Sequence, residues 1–504
     1  MSTNKPPNIF AAPPPSGVDL YFRRALSAAQ AGRYAEAESL CRLVLQQQPQ
    51  HFEALHLCGL VQHLSGRQAE ALRALDRALL VQPRSAKALN NRGVVLHGLG
   101  RSAEALQAHD AALVQQPAYV DAMLNRGVAL KALGRLDEAI AAYEQALALD
   151  PRMADGWSNL GVILQDQRRF EAALEAYARA IVLAPEYADA HWNEARCRLL
   201  LGDYALGWDK YEWRWRRASF ARQHRDFTQP RWQGEDLAGR TILLHAEQGL
   251  GDSLQCLRYL PLLAARGGRV LLEVQAPLVS LLKDFPGVEA VFARGAALAA
   301  FDLHCPLLSL PHVFATRLDT IPPNVRPAAP DAQRVAAWGA RLGPKRGTLR
   351  VGLVWSGNPA QQDNHLRSLA LRDLLRITAP EIECISLQKE LRSDEERALV
   401  ADGTIRHFGE DLADFAETAA LMTQVDLVIS VCTSVAHLAG VMERPVWVLL
   451  QYAHDWRWLL EREDSPWYPT ARLFRQNRQG DWAGLIDEQL MPALRQHIEG
   501  VSHA

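Results

Sequence analysis

The sequence lacks paired cysteines, a surplus of charge of either sign and any long apolar run, and each absence excludes a class of protein. Its seven cysteines are scattered, with no C-x-x-C pair, so neither a disulfide framework nor a structural zinc site is expected. Lys plus Arg total 55 and Asp plus Glu 57, a net charge of −2, which gives no reason to expect a nucleic acid partner. No stretch reaches the roughly 18 apolar residues that span a bilayer. We therefore expect a cytoplasmic protein with no membrane span.

The first residues of the chain are rich in proline and poor in apolar side chains. Residues 1–20 contain five prolines and one lysine, without the apolar centre of a signal peptide. Such a composition cannot bury enough apolar surface to fold. We predict a disordered leader over 1–17.

A strict period of 34 residues follows the leader. The columns that keep this period are Pro49, Pro83, Pro117, Pro151 and Pro185; Gly32, Gly66, Gly100, Gly134 and Gly202, interrupted by Arg168; Gly59, Gly93, Gly127 and Gly161; and Ala37, Ala71, Ala105, Ala139 and Ala173. Small residues allow two helices to approach closely, a glycine closes the first helix in a left-handed cap, and a proline opens the next unit. No unit buries its apolar face alone, so only an array is stable.

This pattern resembles the tetratricopeptide repeat. Five full units occupy about 18–187, and a sixth at 188–221 lacks the closing proline, which is typical of a terminal cap. The sequence thus predicts an α superhelix over 18–221.

Asparagine also recurs with this period, on the first helix of each unit, at Asn91, Asn125, Asn159 and Asn193. First helices line the concave side of such a superhelix, and an amide donates to and accepts from a peptide backbone at once. A similar asparagine ladder occurs in the repeats of protein O-GlcNAc transferases. The column is therefore a candidate site for an extended protein acceptor. The alternative is a consensus residue that bonds within the repeats.

The segment 204–233 is dense in Trp, Tyr and Arg. Aromatic and guanidinium groups of this kind can stack on a nucleobase or sugar. We favour instead a packed seam between domains and place the junction at 222–239.

The C-terminal half has a different pattern, in which short apolar runs alternate with helical stretches. The predicted strands are 241–246, 269–274, 289–293, 301–307, 349–355, 383–388, 426–431 and 445–450. Alternation of this kind predicts α/β structure with parallel sheets, whose ligands bind at the carboxyl ends of the strands. The Pro-rich stretch 321–330 divides two Rossmann-like lobes, at 240–325 and 348–499, with a linker and helix at 326–347. A last helix near 481–498 could return to the first lobe.

Two motifs in this half resemble the ADP-heptose heptosyltransferases. GLGDSLQCLRYLP (249–261) is similar to their N-lobe signature, and ISVCTSVAHLAGVMERPVWVLL (429–450) to their donor motif. The layout, repeats followed by such a domain, is similar in plan to O-GlcNAc transferase. The resemblance implies the two-lobed GT-B fold, nucleotide-sugar binding in the C-terminal lobe, and no metal or other cofactor.

The first motif contains the candidate catalytic residue. Gly249 and Gly251 allow a tight turn between strand and helix, and the resemblance makes Asp252 the candidate general base, with Glu247 in reserve. The alternative is that Asp252 only caps the helix that starts at Ser253.

The second motif contains candidate donor-binding residues. Thr433 and Ser434 open a helix whose positive end would meet a diphosphate, and His437 lies one turn further on. The alternative is ordinary capping beside a buried histidine. The comparison families have an acidic residue where this chain has Cys432, and a thiol accepts hydrogen bonds from sugar hydroxyls only weakly.

Further donor contacts are expected in the loops of the second lobe. Ser356 and Gly357 follow its first strand, Arg367 lies in the loop beyond, and Lys389 follows the next strand. Cations at strand ends would neutralise a leaving diphosphate. For Arg367 and Lys389 a solvated surface charge is the alternative.

Two functions from different classes fit these features. The first is an inverting, metal-independent glycosyltransferase whose repeats recruit a protein acceptor. The second is a repeat scaffold with a degenerate transferase domain, which Cys432 favours. A dehydrogenase fits poorly because the glycine loop lacks G-x-G-x-x-G.

Overall fold

The computed structural model describes residues 17–359, 361 and 364–502, which divide into two compact units between Tyr187 and Ala188. The predicted disordered leader lies outside the described residues except for Gly17, which already begins the first helix.

The first unit is an array of antiparallel helix pairs. Its helices within residues 17–187 are α1 (Gly17–Gln30), α2 (Tyr34–Gln47), α3 (Phe52–Leu64), α4 (Gln68–Val81), α5 (Ala86–Gly98), α6 (Ser102–Gln115), α7 (Val120–Ala132), α8 (Leu136–Leu149), α9 (Ala154–Asp166) and α10 (Phe170–Leu183). The 34-residue period is one such pair, so the predicted helical superhelix is confirmed.

The glycine columns have two separate physical roles. Gly32, Gly66, Gly100 and Gly134 end the first helices with φ between 73° and 79°, and Arg168 adopts φ 60° in the same place. The other column lies where the two helices of a unit cross. A Cβ added at Gly127 would lie 2.6 Å from the Tyr143 ring, and one at Gly161 would lie 2.5 Å from the Tyr177 ring. Only glycine permits this approach of the paired helices.

The second unit begins with the predicted terminal repeat, α11 (Ala188–Leu200) and α12 (Tyr204–Tyr211). Trp208 packs edge-on against Trp456 with ring centroids 5.0 Å apart, and Trp467 Nε1 donates to Tyr204 Oη at 3.1 Å. The compact boundary therefore falls at 187/188, inside the predicted array 18–221, because the last helix pair buries its aromatic side chains in the α/β region. This packing agrees with a seam in the aromatic segment.

The remaining helices of the second unit connect its strands. Those in the described residues are α13 (Leu250–Cys256), α14 (Leu260–Ala265), α15 (Ala276–Leu282), α16 (Leu310–Val313), α17 (Ala332–Leu342), α18 (Asn364–Arg367), α19 (Leu371–Leu374), α20 (Asp394–Ala401), α21 (Phe415–Met422), α22 (Ser434–Val441), α23 (Trp482–Gly484) and α24 (Met491–Ser502).

Two parallel sheets form the α/β region, as the alternating pattern predicts. The first has the order β3-β2-β1-β4 and the second β10-β9-β8-β5-β6-β7. Their strands are β1 (Thr241–His245), β2 (Arg269–Val274), β3 (Val288–Ala293), β4 (Leu303–Pro306), β5 (Leu349–Val354), β6 (Ile382–Ser386), β7 (Ile405–His407), β8 (Leu427–Val431), β9 (Val446–Leu450) and β10 (Ala471–Arg475). Every strand pair is parallel.

The predicted last helix is a short α-helical turn, a π-helical turn at Leu485–Leu490 and then α24. Leu485, Ile486 and Leu494 are buried in the core beneath the second sheet, together with Leu427 and Leu449. The expected return to the first lobe is therefore wrong, because the apolar face of this segment covers the second sheet. Among the described residues, every helix is too short or too polar to cross a bilayer.

Candidate functional site

The strand order of the second sheet reverses between β5 and β8. These strands are neighbours, with Val351 paired with Leu427, but their connections lead to opposite edges of the sheet. A crevice forms outside the carboxyl ends of strands at such a point, and ligands of open α/β sheets bind there. Ser356 and Gly357 follow β5, and Thr433 follows β8, so three of the predicted donor residues lie at this position.

On the β5 side of the crevice, a cationic side chain lies directly against the backbone. The Arg367 guanidinium lies against Gly357, in space that a side chain at 357 would fill, and Arg367 Nη1 donates to Cys432 O at 3.4 Å. The Gly357 amide donates to Ser368 Oγ at 3.4 Å. Ser356 is buried and its hydroxyl has no hydrogen-bond partner within the described residues. A buried hydroxyl without a partner is costly unless a ligand or water satisfies it.

The β8 side of the crevice is the start of a helix. Thr433 is the N-cap of α22 in extended conformation, and its hydroxyl pairs with Ser430 Oγ at 3.1 Å. Ser434 is the first residue of the helix. The amides of the first turn and the helix dipole make this end electropositive. Lys389 follows β6 and is exposed to solvent, which fits either a phosphate contact or a surface charge.

The first motif forms the loop and helix start after β1. Helix α13 begins at Leu250 with Gly249 as N-cap, so the expected start at Ser253 is wrong. Asp252 therefore lies in the first helical turn, and its Oδ2 accepts from the Gly249 amide at 2.6 Å. One carboxylate oxygen thus has the capping role that the sequence left open. The other oxygen, Oδ1, has a different partner.

That second oxygen of Asp252 is ion-paired with Arg457, from the loop after β9. Arg457 also donates to Asp455 Oδ1 at 2.7 Å and to Gln255 Oε1 at 2.6 Å. Burial raises the pKa of the Asp252 carboxyl above its ordinary value, although the Arg457 charge opposes this shift. Burial also tends to raise the pKa of Asp455, but the charge of Arg457 outweighs burial there, and the pKa of Asp455 is lowered. Of these two carboxyls, Asp252 is therefore the better suited to take up a proton.

The helices of the two motifs touch each other. A Cβ at Gly251 would lie 2.5 Å from the His437 ring, so α13 and α22 are in direct contact at this glycine. His437 is buried and shares a hydrogen bond of 2.8 Å with Tyr468 Oη. Burial, with a further contribution from Arg457, lowers the pKa of His437 to about 3, so the ring is neutral at pH 7. His437 thus packs at the junction of the motifs.

Glu247, the reserve candidate for the base, is buried beneath the loop. Its Oε1 accepts from Arg214 Nη2 at 3.1 Å and from the Leu308 amide at 3.2 Å. Burial raises the pKa of Glu247 to about 7, against the charge of Arg214. Arg214 itself is fully buried and also binds Glu212 and Ser309. A carboxyl enclosed in this way is less accessible to an acceptor than Asp252, which is 20% exposed.

Cys432, which stands where the families that the sequence resembles have an acidic residue, is half-buried. Trp458 Nε1 donates to its sulfur at 3.1 Å. Burial raises the pKa of the thiol to about 11, so it is protonated at neutral pH. The segment 453–469, which the sequence marks as aromatic and charged, therefore packs against the crevice through Trp458.

The asparagine column lies on first helices, as predicted, in half-buried positions. Asn91 Nδ2 is 2.7 Å from His56 Nε2, and Asn125 Nδ2 donates to Asn90 Oδ1 at 3.1 Å. Both bonds join first helices of neighbouring units. Asn159 belongs to the first compact unit and Asn193 to the second. The bonds of Asn91 and Asn125 lie inside the array, which the alternative interpretation requires.

Sequence reasoning missed Arg457 and Asp455. Both lie in a segment that the sequence marks as rich in Trp and charge, but no motif singles them out. Their role depends on an ion pair between positions 252 and 457, which no local pattern encodes. The local signal is the sequence Asp455-Trp456-Arg457-Trp458 shortly after the apolar strand β9, in which an Asp and an Arg alternate with two tryptophans.

The N-terminal region of the chain contains tetratricopeptide repeats. Tetratricopeptide-repeat families match at residues 9–52 and 65–120, at 129–168 and at 154–187. Among curated proteins, the chain is 30% identical over 322 residues to Protein FlbA of Caulobacter vibrioides, which covers 57% of this chain and 52% of FlbA. The chain thus spans about half the length of this relative.

Two solved structures are similar to parts of the chain. The crystal structure of PilW, a type IV pilus biogenesis factor, is 20% identical with a TM-score of 0.38, over 41% of this chain and 96% of that one. The crystal structure of MamA is 21% identical with a TM-score of 0.30, over 32% of this chain and 96% of that one.

Proposed function

We propose that this chain is a glycosyltransferase that moves a sugar from a nucleotide-sugar to a protein recruited by the repeats. In this proposal the two parallel sheets are the lobes of a GT-B domain. The observation that carries it is the meeting of the two motifs: Gly251 of the first packs on His437 of the second, and Asp252 pairs with Arg457 beside the second. Two distant motifs that converge on the switch point of a parallel sheet form one site.

The donor side of the proposed site suits a diphosphate. The start of α22 at Thr433 and Ser434 offers backbone amides and hydroxyls, and the Arg367 guanidinium lies next to Gly357. The hydroxyl of Ser356 provides a further buried group for a ligand oxygen. Amides at a helix start together with a guanidinium are a common means of stabilising phosphate charge. Lys389 would add a cation at the next strand end.

The acceptor side of the proposed site suits deprotonation of a hydroxyl. Asp252 Oδ1 would take the proton while the acceptor oxygen bonds to the anomeric carbon. The bond from that carbon to the diphosphate oxygen breaks on the opposite face, with inversion, and its electron pair leaves with the nucleoside diphosphate. Arg367 and the α22 amides would stabilise the departing charge.

The repeats supply the protein acceptor in this proposal. Tetratricopeptide repeats bind peptides or proteins, and the array has amide side chains on its first helices. The chain would therefore hold a protein while the α/β region modifies it.

A scaffold with an inactive transferase domain is the second candidate. It is favoured by Cys432, whose thiol already accepts from Trp458 and cannot replace a carboxylate as an acceptor for sugar hydroxyls. In this second candidate function, the repeats bind partner proteins and the α/β region binds no nucleotide-sugar.

Transfer of a labelled sugar separates the two candidates. The purified chain is incubated with a panel of radiolabelled nucleotide-sugars and the protein extract of its source, and label in protein bands is measured. We expect label from one donor with the parent chain, and a loss of about 100- to 10,000-fold with Asp252→Asn, which keeps the shape but removes the base. Equal label with both proteins would assign the base elsewhere, and no label from any donor would favour the scaffold.

A further inference from the structure

Arg457 is held by three partners from two regions of the second unit. Its Nη1 donates to Asp455 at 2.7 Å, its Nε donates to Gln255 at 2.6 Å, and its Nη2 donates to Asp252. The guanidinium also stacks on the Trp456 ring, 4.2 Å from its centroid. Only 8% of the side chain is exposed, so one cation serves two carboxylates in a site largely closed to water.

The segment that carries Arg457 borders the donor crevice. It follows β9, the strand next to β8, and Trp458 donates to the sulfur of Cys432, one residue before the N-cap of α22. Arg457 is therefore adjacent both to the positive helix start and to the candidate base of the first motif. A diphosphate at this edge would bring a third anion within reach of the same guanidinium.

The carboxylates of Asp455 and Asp252 differ in the contacts that they would lose if Arg457 moved away. Asp455 lies two residues from Arg457 in the same turn, where it also accepts from the Arg457 amide at 3.1 Å. Asp252 meets Arg457 through a single oxygen, and its other oxygen keeps the Gly249 amide at 2.6 Å. Release of Arg457 from Asp252 would thus leave both the Asp455 pair and the α13 start intact.

Resting on the proposed function, we propose that Arg457 is a positioning residue that changes partner when the donor binds. Without a donor it holds Asp252 and keeps the base ion-paired. When a nucleoside diphosphate enters, the guanidinium turns to a phosphate oxygen and Asp252 is released to accept a proton. The base is then free only in the presence of donor, so the donor binds before deprotonation of the acceptor.

This exchange makes Asp252 a competitor of the diphosphate. Removal of its charge should therefore tighten diphosphate binding, a result that a purely structural ion pair does not give. Asp252→Asn keeps the size of the side chain and so preserves the packing of the loop. Asp426→Asn is the matched control, because Asp426 pairs with Lys345 at 2.7 Å but precedes β8, at the opposite end of that strand.

The test is calorimetric titration of the full chain with UDP, GDP, ADP, CDP and inorganic pyrophosphate. For the probe that binds the parent, we expect roughly tenfold tighter binding by Asp252→Asn, at least tenfold weaker binding by Arg457→Gln, and no change for Asp426→Asn. Circular dichroism confirms that each variant is folded.

Two failures are distinguishable in this experiment. If the parent binds a probe and Asp252→Asn binds it no more tightly, the partner exchange is overturned while the proposed function stands. If neither the parent nor Asp252→Asn binds any probe, both proposals are overturned. An unfolded Arg457→Gln leaves the decision to Asp252→Asn, whose affinity alone supports or refutes the exchange.

Discussion

The ring of His437 packs so closely on Gly251 that a Cβ at position 251 would lie 2.5 Å from it. This contact joins α13, the helix of the glycine-rich loop, to α22, the helix that starts at the crevice beside β8. In the proposed function the two motifs are parts of one site, and their contact leaves no room for a side chain larger than glycine at position 251.

We expect Gly251→Ala to impair the site more than the fold. The added methyl group must displace the buried His437 ring or separate the two helices, at a cost of about 1–3 kcal/mol. The melting temperature should fall by a few degrees, and binding of the nucleoside diphosphate should be lost or much weaker. Gly500→Ala is the control, because Gly500 lies in α24 and a Cβ added there would have open space around it. Parent-like stability and binding in Gly251→Ala would contradict the contact.

The repeat array could be predicted from the sequence because each unit depends on local pattern. The glycine that ends each first helix needs a left-handed backbone, and Arg168 adopts the same conformation with φ 60° where the glycine is missing. The crossing glycines, such as Gly127 against Tyr143, recur at a fixed spacing. Repetition turns such weak local preferences into an unambiguous prediction.

The two strands absent from the prediction are β7 and β10, which are the edges of the second sheet. An edge strand has only one neighbour and buries fewer residues, so its apolar pattern is weaker than that of the central strands. The Ala471–Arg475 strand has an arginine at its end and another inside it. Central strands such as Leu427–Val431 are fully buried and were predicted from their apolar runs.

The site was predictable only where its residues belong to a motif. Asp252, Thr433 and Ser434 follow strands or begin helices, positions that a sequence pattern indicates. Arg457 takes its role from an ion pair with a residue far away in the chain. That role depends on the packing of two sheets, and no local preference determines it.

Glu247 should make the free energy of unfolding depend on pH in a definite direction. Burial raises its pKa from 4.5 to about 7, so the folded state holds the proton more tightly than the unfolded chain. The free energy of unfolding should therefore fall as pH rises from 4.5 to 7, by up to about 1.4 kcal/mol per pH unit, and level off above 7.

The measurement is the melting temperature of the parent minus that of Glu247→Gln across pH 4.5 to 8. This difference should decrease between pH 4.5 and 7, because Gln cannot ionise. Glu499→Gln, an exposed carboxyl in α24, should follow the parent throughout. A difference that does not decrease over this range would show that Arg214 holds Glu247 ionised.

The asparagine column can be tested for acceptor capture by a quadruple variant, Asn91/Asn125/Asn159/Asn193→Ala. We expect a modest loss of stability, because the bonds of Asn91 and Asn125 contribute on the order of 1 kcal/mol each. Transfer of label to the protein acceptor should fall, since each lost backbone contact costs a similar amount. The readouts are melting temperature and labelled product.

The matched control replaces Gln48, Gln82 and Gln116 by Ala. These are exposed amides that keep the 34-residue period but follow the second helices. They should change neither readout. A large fall in melting temperature with unchanged transfer in the asparagine variant would make that column structural.

The most direct test of the central claim is a thermal shift of the full chain with nucleoside diphosphates in EDTA. We expect one of UDP, GDP, ADP or CDP to raise the melting temperature of the parent, since ligand at 100 times its dissociation constant adds about 2.7 kcal/mol of stability. We also expect a much smaller shift for Gly251→Ala, in which the two motifs cannot meet. An unchanged melting temperature with all four diphosphates would contradict a donor site at the converging motifs.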